Sequence, residues 1–266
     1  MLGLTEPSAG TATVCEINST INPTDVKRKV GYLPEDVGFY SDLSGLDNLK
    51  FIARLNELSE PEAEERALKL LERVGLLEQA SKKAGKYSRG MRQRLGLAEV
   101  LIKNPKVIIL DEPTSGIDPT GVRDFLQLIV QLSHEEGLTV LFSSHNLYQV
   151  QQVCDRVGIF VRGKLLAQGN IQDLAKQLFS NEPFSIQAGT DNSTNPDLIA
   201  QLEALESVNS VREEKTHLQI GSTTDITADV ARIIVHSGGN LSYLHKKEYG
   251  LDDIYNRYFE GGAQHE

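Results

Sequence analysis

Apolar and polar positions along the chain fall into segments of two periods. Residues 11–14 and 30–33 are short β-type runs, the second stopped by Pro34. Leu2-Gly3-Leu4 reads as the last turn of a helix, and a turn through Pro7 and Gly10 follows it. Over 43–79 the pattern turns helical: Leu46, Leu49, Ile52 and Ala53 share one face, as do Ala67, Leu68, Leu71 and Val74. A further helix is expected from about Met91, carrying Leu95, Ala98, Leu101 and Ile102. Residues 107–110 form a continuous apolar strand ending at Asp111, the pattern of a strand in the middle of a parallel sheet. Asp118-Pro119 is an N-cap with proline at the first helical position. The helix after it places Val122, Phe125, Leu126, Ile129 and Leu132 on one stripe and stops at Gly137. Residues 138–142 predict a second buried strand, 147–155 a short helix, and 157–161 with 164–168 a hairpin around Arg162-Gly163.

The character changes over 181–196, which is polar and rich in turn residues. After a helix at 171–179 the order is strand 184–188, helix 196–205, strand 208–213, strand 216–220, helix 225–236 and strand 240–246, then a last helix at 251–260. That β-α-β-β-α-β order predicts a small α+β ferredoxin-like domain over 181–266. The strand–helix alternation before it predicts an α/β domain over 1–180, with a helical subdomain at about 41–98.

Composition narrows the function classes. The net charge of -10 argues against broad nucleic-acid binding, which needs a basic surface. No apolar run approaches the roughly 18 residues of a spanning helix. The N-terminal residues have no basic region of the secretory type. The two cysteines, Cys15 and Cys154, read as reduced thiols, and no Cys/His cluster has metal-ligand spacing.

Candidate chemistry begins at Asp111-Glu112. Carboxylates at the C-terminal end of a buried strand sit where open α/β sheets bind ligands. Asp111 there can hold Mg²⁺, and Glu112 can orient and deprotonate a water. The residues 86–94, Lys-Tyr-Ser-Arg-Gly-Met-Arg-Gln-Arg, place Ser88 and Gly90 ahead of a helix N-terminus that can offer backbone N–H groups to an anion. Thr114-Ser115-Gly116-Ile117-Asp118, Ser143-Ser144-His145 and Gly31-Tyr32-Leu33-Pro34-Glu35 complete the set.

In this order the motifs resemble those of the nucleotide-binding subunit of an ABC transporter. The resemblance implies an ABC cassette of the P-loop NTPase type over 1 to about 175, and ATP with Mg²⁺ as ligands. Ser88, Arg89, Gly90 and Met91 match the signature loop, with Tyr, Arg and Met replacing its usual Leu, Gly and Gln; that loop meets the γ-phosphate of ATP held by a second subunit. Residues 114–118 match the D-loop, in which Asp118 also serves as N-cap. His145 matches the switch histidine, which positions the catalytic Glu112. Glu35 stands where the Q-loop glutamine is usual and is expected near the nucleotide and Mg²⁺, alongside Asp111. The 181–260 segment resembles the accessory domain of ABC-2 and drug-exporter ATPases.

The family's phosphate-binding string, Gly-x-x-x-x-Gly-Lys-[Ser/Thr], does not occur in these 266 residues. The resemblance places it before Met1, as in an N-terminally truncated cassette, and the expectation is that the chain by itself binds Mg-ATP weakly or not at all. The function implied is the ATPase subunit of an ABC-2-type exporter, peripheral on the cytoplasmic face of the membrane. Its implied partners are a transmembrane permease and a second ATP-binding subunit, with no nucleic acid. A non-catalytic regulatory subunit is one alternative. A soluble ABC ATPase acting on DNA or ribosomes is the other, disfavoured by the charge and by the lack of long coiled coils or a second cassette.

Overall fold

A computed structural model describes residues 1–181, 183–191, 195–214, 217–247 and 249–262. The chain forms two compact units, 1–153 and 154–266. The sequence reading ends its first domain at 180, whereas here the 157–168 hairpin and the helix after it pack within the second unit.

The first unit opens without the helix expected at Leu2–Leu4; residues 1–12 are bends and extended chain. Strands β1 (Thr13–Val14) and β2 (Ile17–Asn18) form a small antiparallel pair. Its tight turn holds Cys15 at φ 49° and Glu16 at φ 66°. Helix α1 (Pro23–Lys29) is absent from the sequence reading, because it has one buried apolar residue, Val26, and no periodic stripe. Its local signals are proline in the first turn, Asp25 near the N-terminus, and Lys27, Arg28 and Lys29 near the C-terminus, matching the helix dipole. Val14 and Val26 pack with Val30 into a small core of their own.

Strands β3 (Val30–Leu33), β4 (Val107–Asp111) and β5 (Thr139–Ser143) make a parallel sheet in the order β3-β4-β5. Three helices are inserted between β3 and β4: α2 (Gly45–Leu55), α3 (Glu60–Arg73) and α4 (Arg89–Leu101). The long helical pattern breaks where Glu57 adopts φ 67° and Ser59 starts α3 through a capping box with Glu62. Helix α5 (Pro119–Glu136) begins on Asp118, whose side chain accepts from the Gly121 amide at 3.0 Å, and ends on Gly137 at φ 65°. A short helix, α6 (Leu147–Val153), follows β5. Leu33, Ile108 and Leu110 from the sheet join Leu95, Leu97, Phe125 and Leu132 in one core. The opposite sheet face is more open. β5, expected to be buried, exposes Thr139, Leu141 and Ser143 in alternation, with Leu141 46% exposed.

In the second unit β6 (Val157–Val161) and β7 (Lys164–Gly169) form the expected hairpin, and α7 (Ile171–Leu178) follows. Then come β8 (Phe184–Thr190), α8 (Pro196–Glu203), β9 (Val208–Glu213), β10 (Leu218–Ser222), α9 (Thr227–His236), β11 (Leu241–Lys247) and α10 (Leu251–Gly262). Residue 216, the expected start of β10, lies outside the described residues. The antiparallel sheet order is β11-β8-β10-β9, the split β-α-β arrangement. Ile186, Ala188, Leu218 and Ile220 pack against Leu198, Leu202, Val230 and Ile234 of α8 and α9. Among the described residues no helix is long and apolar enough to cross a membrane.

Candidate functional site

Parallel strands bring their C-terminal ends to one edge, so Leu33, Asp111 and Ser143 finish side by side and their following residues form one cluster. The register pairs Asp111 with Ser143 directly. Glu112, the next residue, takes φ 46°, a left-handed conformation that costs a side-chain-bearing residue on the order of 1–3 kcal/mol. Its amide bonds the Ser143 carbonyl at 3.0 Å, and its own carbonyl accepts from the Ser115 amide at 3.1 Å. This backbone turn aims the carboxylate at the loop after β5.

There Glu112 Oε1 accepts from the His145 amide at 2.8 Å, and Oε2 lies 2.9 Å from His145 Nδ1. Ser144 Oγ adds a longer bond to Oε2 at 3.4 Å. An ionised carboxylate only accepts, so Nδ1 carries the hydrogen and Nε2 faces outward on an imidazole 83% exposed. The Glu112 side chain is 24% exposed, enough to touch water while its orientation is fixed.

Asp111 is gripped by two hydroxyls: Ser143 Oγ donates to Oδ1 at 2.7 Å and Tyr32 Oη to Oδ2 at 3.3 Å. Tyr32 enters the sequence reading only as part of the 31–35 motif, with no role of its own. Its placement follows from register, since Tyr32 pairs with Ile109, two positions before Asp111 and on the same sheet face. Partial burial, the Asp111 charge and this hydrogen bond, in that order, push the Tyr32 phenol above its ordinary range. Among the described residues no three His, Cys, Asp or Glu side chains converge on a metal position. The donor set fits Mg²⁺, which is commonly held by one or two carboxylates and completes its shell with water and phosphate oxygens.

A second network joins the remaining motif residues. Glu35 Oε1 accepts from Ser115 Oγ at 2.9 Å, and the Glu35 carbonyl accepts from Gln93 Nε2 at 2.8 Å. Arg89 turns its guanidinium inward: Nε donates to the Ser115 carbonyl at 2.6 Å, Nη1 to Asp36 at 3.2 Å and Nη2 to the Glu35 carbonyl at 3.5 Å. Gly116, at φ 70°, has no room for a Cβ, which would lie 2.8 Å from Arg89. The Arg89 side chain therefore ties the loops after β3 and β4 to α4. Ser88 caps α4 by accepting from the Met91 amide at 3.2 Å. The first-turn amides of Arg89 and Gly90 stay outside the helical ladder. Helix α4 thus starts at Arg89, two residues before the expected Met91.

The family described as ABC transporter matches residues 1–115. The bacitracin transport ATP-binding protein of Enterococcus faecalis is 30% identical over 264 residues, covering 99% of this chain and 82% of that protein. The linearmycin resistance ATP-binding protein of Bacillus subtilis is 33% identical, covering 95% and 81%. An uncharacterized ABC transporter ATP-binding protein of Synechocystis is 38% identical over 188 residues, but the match spans only 51% of that protein. Among solved structures, one from Clostridium perfringens, part of the ABC transporter complex cbiONQ, is similar at a TM-score of 0.60 and 27% identity, covering 77% of this chain and 76% of that one. A dimeric ATP-binding cassette bound to ADP and Pi shares the fold at a TM-score of 0.57 and 24% identity, covering 64% and 76%. On these likenesses the chain belongs to the family of ABC transporter ATP-binding proteins.

Proposed function

We propose that the chain is an ATP-hydrolysing subunit of an ABC-2-type membrane exporter, acting from the cytoplasmic face of the membrane with a transmembrane permease and a second ATP-binding subunit. The observation that carries the reading is Glu112, held in a strained backbone conformation with both oxygens bonded to His145. Strain fixed by surrounding hydrogen bonds at the end of a parallel strand fits a residue kept for chemistry. In this reading a Glu112 Oε oxygen takes the proton of the water that attacks the γ-phosphate. His145 holds that carboxylate in place and offers its outward Nε2 to the phosphate. Asp111, with Glu35, would hold Mg²⁺, which when bound supplies charge neutralisation for the phosphates. Ser88, Arg89, Gly90 and Met91 present an α4 N-terminus to nucleotide held by the second subunit, and Asp118 fixes the start of α5 beside that interface. The names of the two relatives support an antibiotic-like cargo.

The 266 residues carry the carboxylates but no Gly-x-x-x-x-Gly-Lys-[Ser/Thr] loop, so calorimetry on this chain alone is expected to show no saturable Mg-ATP binding at millimolar nucleotide. Grafting the matching N-terminal segment of a relative that carries the loop should give ATPase activity. In that graft Glu112→Gln is expected to lower kcat by roughly 10²–10⁴-fold. Equal turnover by the graft with and without Glu112→Gln would overturn the assignment.

A further inference from the structure

Glu99 on α4 is an acid that none of this chemistry uses. Its side chain enters a cleft of about 130 Å³ beside β3, lined by Gly31, Tyr32, Ile52, Asn56, Val100, Ile102 and Lys103. The basic residue nearest along the chain, Lys103, lies just past the end of α4 at Leu101. Here Lys103 Nζ is drawn away to the Lys27 carbonyl, at 2.6 Å. Among the described residues no side chain hydrogen-bonds or ion-pairs with the Glu99 carboxyl. Burial consequently raises that carboxyl to about 7. Asn56 donates Nδ2 to the Ile52 carbonyl at 2.9 Å, which leaves its Oδ1 as a second acceptor.

The cleft therefore combines two hydrogen-bond acceptors with apolar walls from Ile52, Val100 and Ile102. It is well below the roughly 300–1,000 Å³ of pockets that enclose a drug-sized molecule. That volume suits the tip of one side chain, and the acceptors select a donor-rich, positively charged tip. A chain of net charge -10 adds a favourable field. We propose that the cleft receives a basic side chain, the guanidinium or ammonium tip of an arginine or lysine from a partner polypeptide, with Glu99 as its counter-ion. The methylene stem lies along the apolar wall, and the charged tip restores the pairing that Lys103 does not supply.

The probe is ethylguanidinium, titrated into the isotopically labelled full chain and followed by amide chemical shifts, with ethylurea as the uncharged isostere. Saturable, millimolar shifts at 31, 52, 56 and 99–103 are expected for ethylguanidinium and not for ethylurea. Glu99→Gln, which keeps the shape and removes the charge, should weaken binding about tenfold. Glu99→Asp, which keeps the charge, should retain part of it. Lys103→Met, which removes the competing ammonium, should tighten binding a few-fold. Equal binding of ethylurea, unchanged affinity in Glu99→Gln with unaltered circular dichroism, or unsaturable shifts scattered over surface acids would each overturn the proposal.

Discussion

Two partly buried glutamates of the first unit are held in opposite ways. Glu112 keeps both oxygens bonded to donors at the cost of backbone strain, whereas Glu99 sits on relaxed helical backbone with no protein donor among the described residues. The second arrangement has a pH signature. The Glu99 carboxyl titrates at about 7 in the folded chain against 4.5 for an ordinary glutamate. Between these values the folded state keeps a proton that the unfolded state has released, so stability falls as pH rises through that window. Above it the penalty levels off at about 3 kcal/mol, an order-of-magnitude figure from 1.36 kcal/mol per unit of difference. Glu99→Gln removes the ionisation, so its melting temperature should exceed that of the parent at pH 8 and lie close to it at pH 5. Scanning fluorimetry at the two values checks this; a gain at pH 5 as large as at pH 8 would contradict it.

At the scale of elements, α7 belongs with the second unit. Its buried Leu174 and Ala175 and its contacts with α10 and β7 anchor it there. Phe179, just past its end, stacks on Tyr249 just before α10, with ring centroids 3.8 Å apart and planes 3° from parallel. A fragment cut at 181 loses one member of that stack and the buried Leu174 and Ala175, and leaves α10, where Leu251 and Ile254 are buried in the whole unit, without its α7 contacts. Burying a leucine is worth about 1.5–3 kcal/mol and an aromatic pair about 0.5–1.5 kcal/mol. Residues 154–266 made alone should therefore be more stable to urea than residues 181–266, by about 2–4 kcal/mol. Coincident unfolding curves would show that α7 contributes nothing.

For the molecule as a whole, much of the architecture is legible in sequence because local signals agree with the fold. The run into Asp111, the Asp118 cap and the Gly137 stop give β4 and α5 almost to the residue. The β-α-β-β-α-β order from β8 to β11 is legible from the alternation of apolar runs and turn residues. The remainder depends on tertiary register or on what covers a surface. Tyr32 joins Asp111 only through the pairing of β3 with β4, and Arg89 reaches Ser115 across 26 residues of chain. Lone Val26 gives α1 no stripe to read. An apolar run such as 138–142 reports that a strand forms and not which of its faces is packed.

That open face has a practical consequence. β5 reads Thr-Val-Leu-Phe-Ser, with no proline and no charge, and stands at the end of its sheet with Leu141 outward. Unpaired strand edges of this composition are templates for intermolecular pairing. The separately expressed chain should accordingly precipitate in a concentration-dependent way, and more so as salt screens the repulsion among molecules of net charge -10. Leu141→Lys places a charge on the uncovered face and should raise the soluble yield while leaving the far-ultraviolet spectrum unchanged. Light scattering over a concentration series measures the difference, and identical scattering by the two proteins would show that the strand edge is not where the molecules stick together.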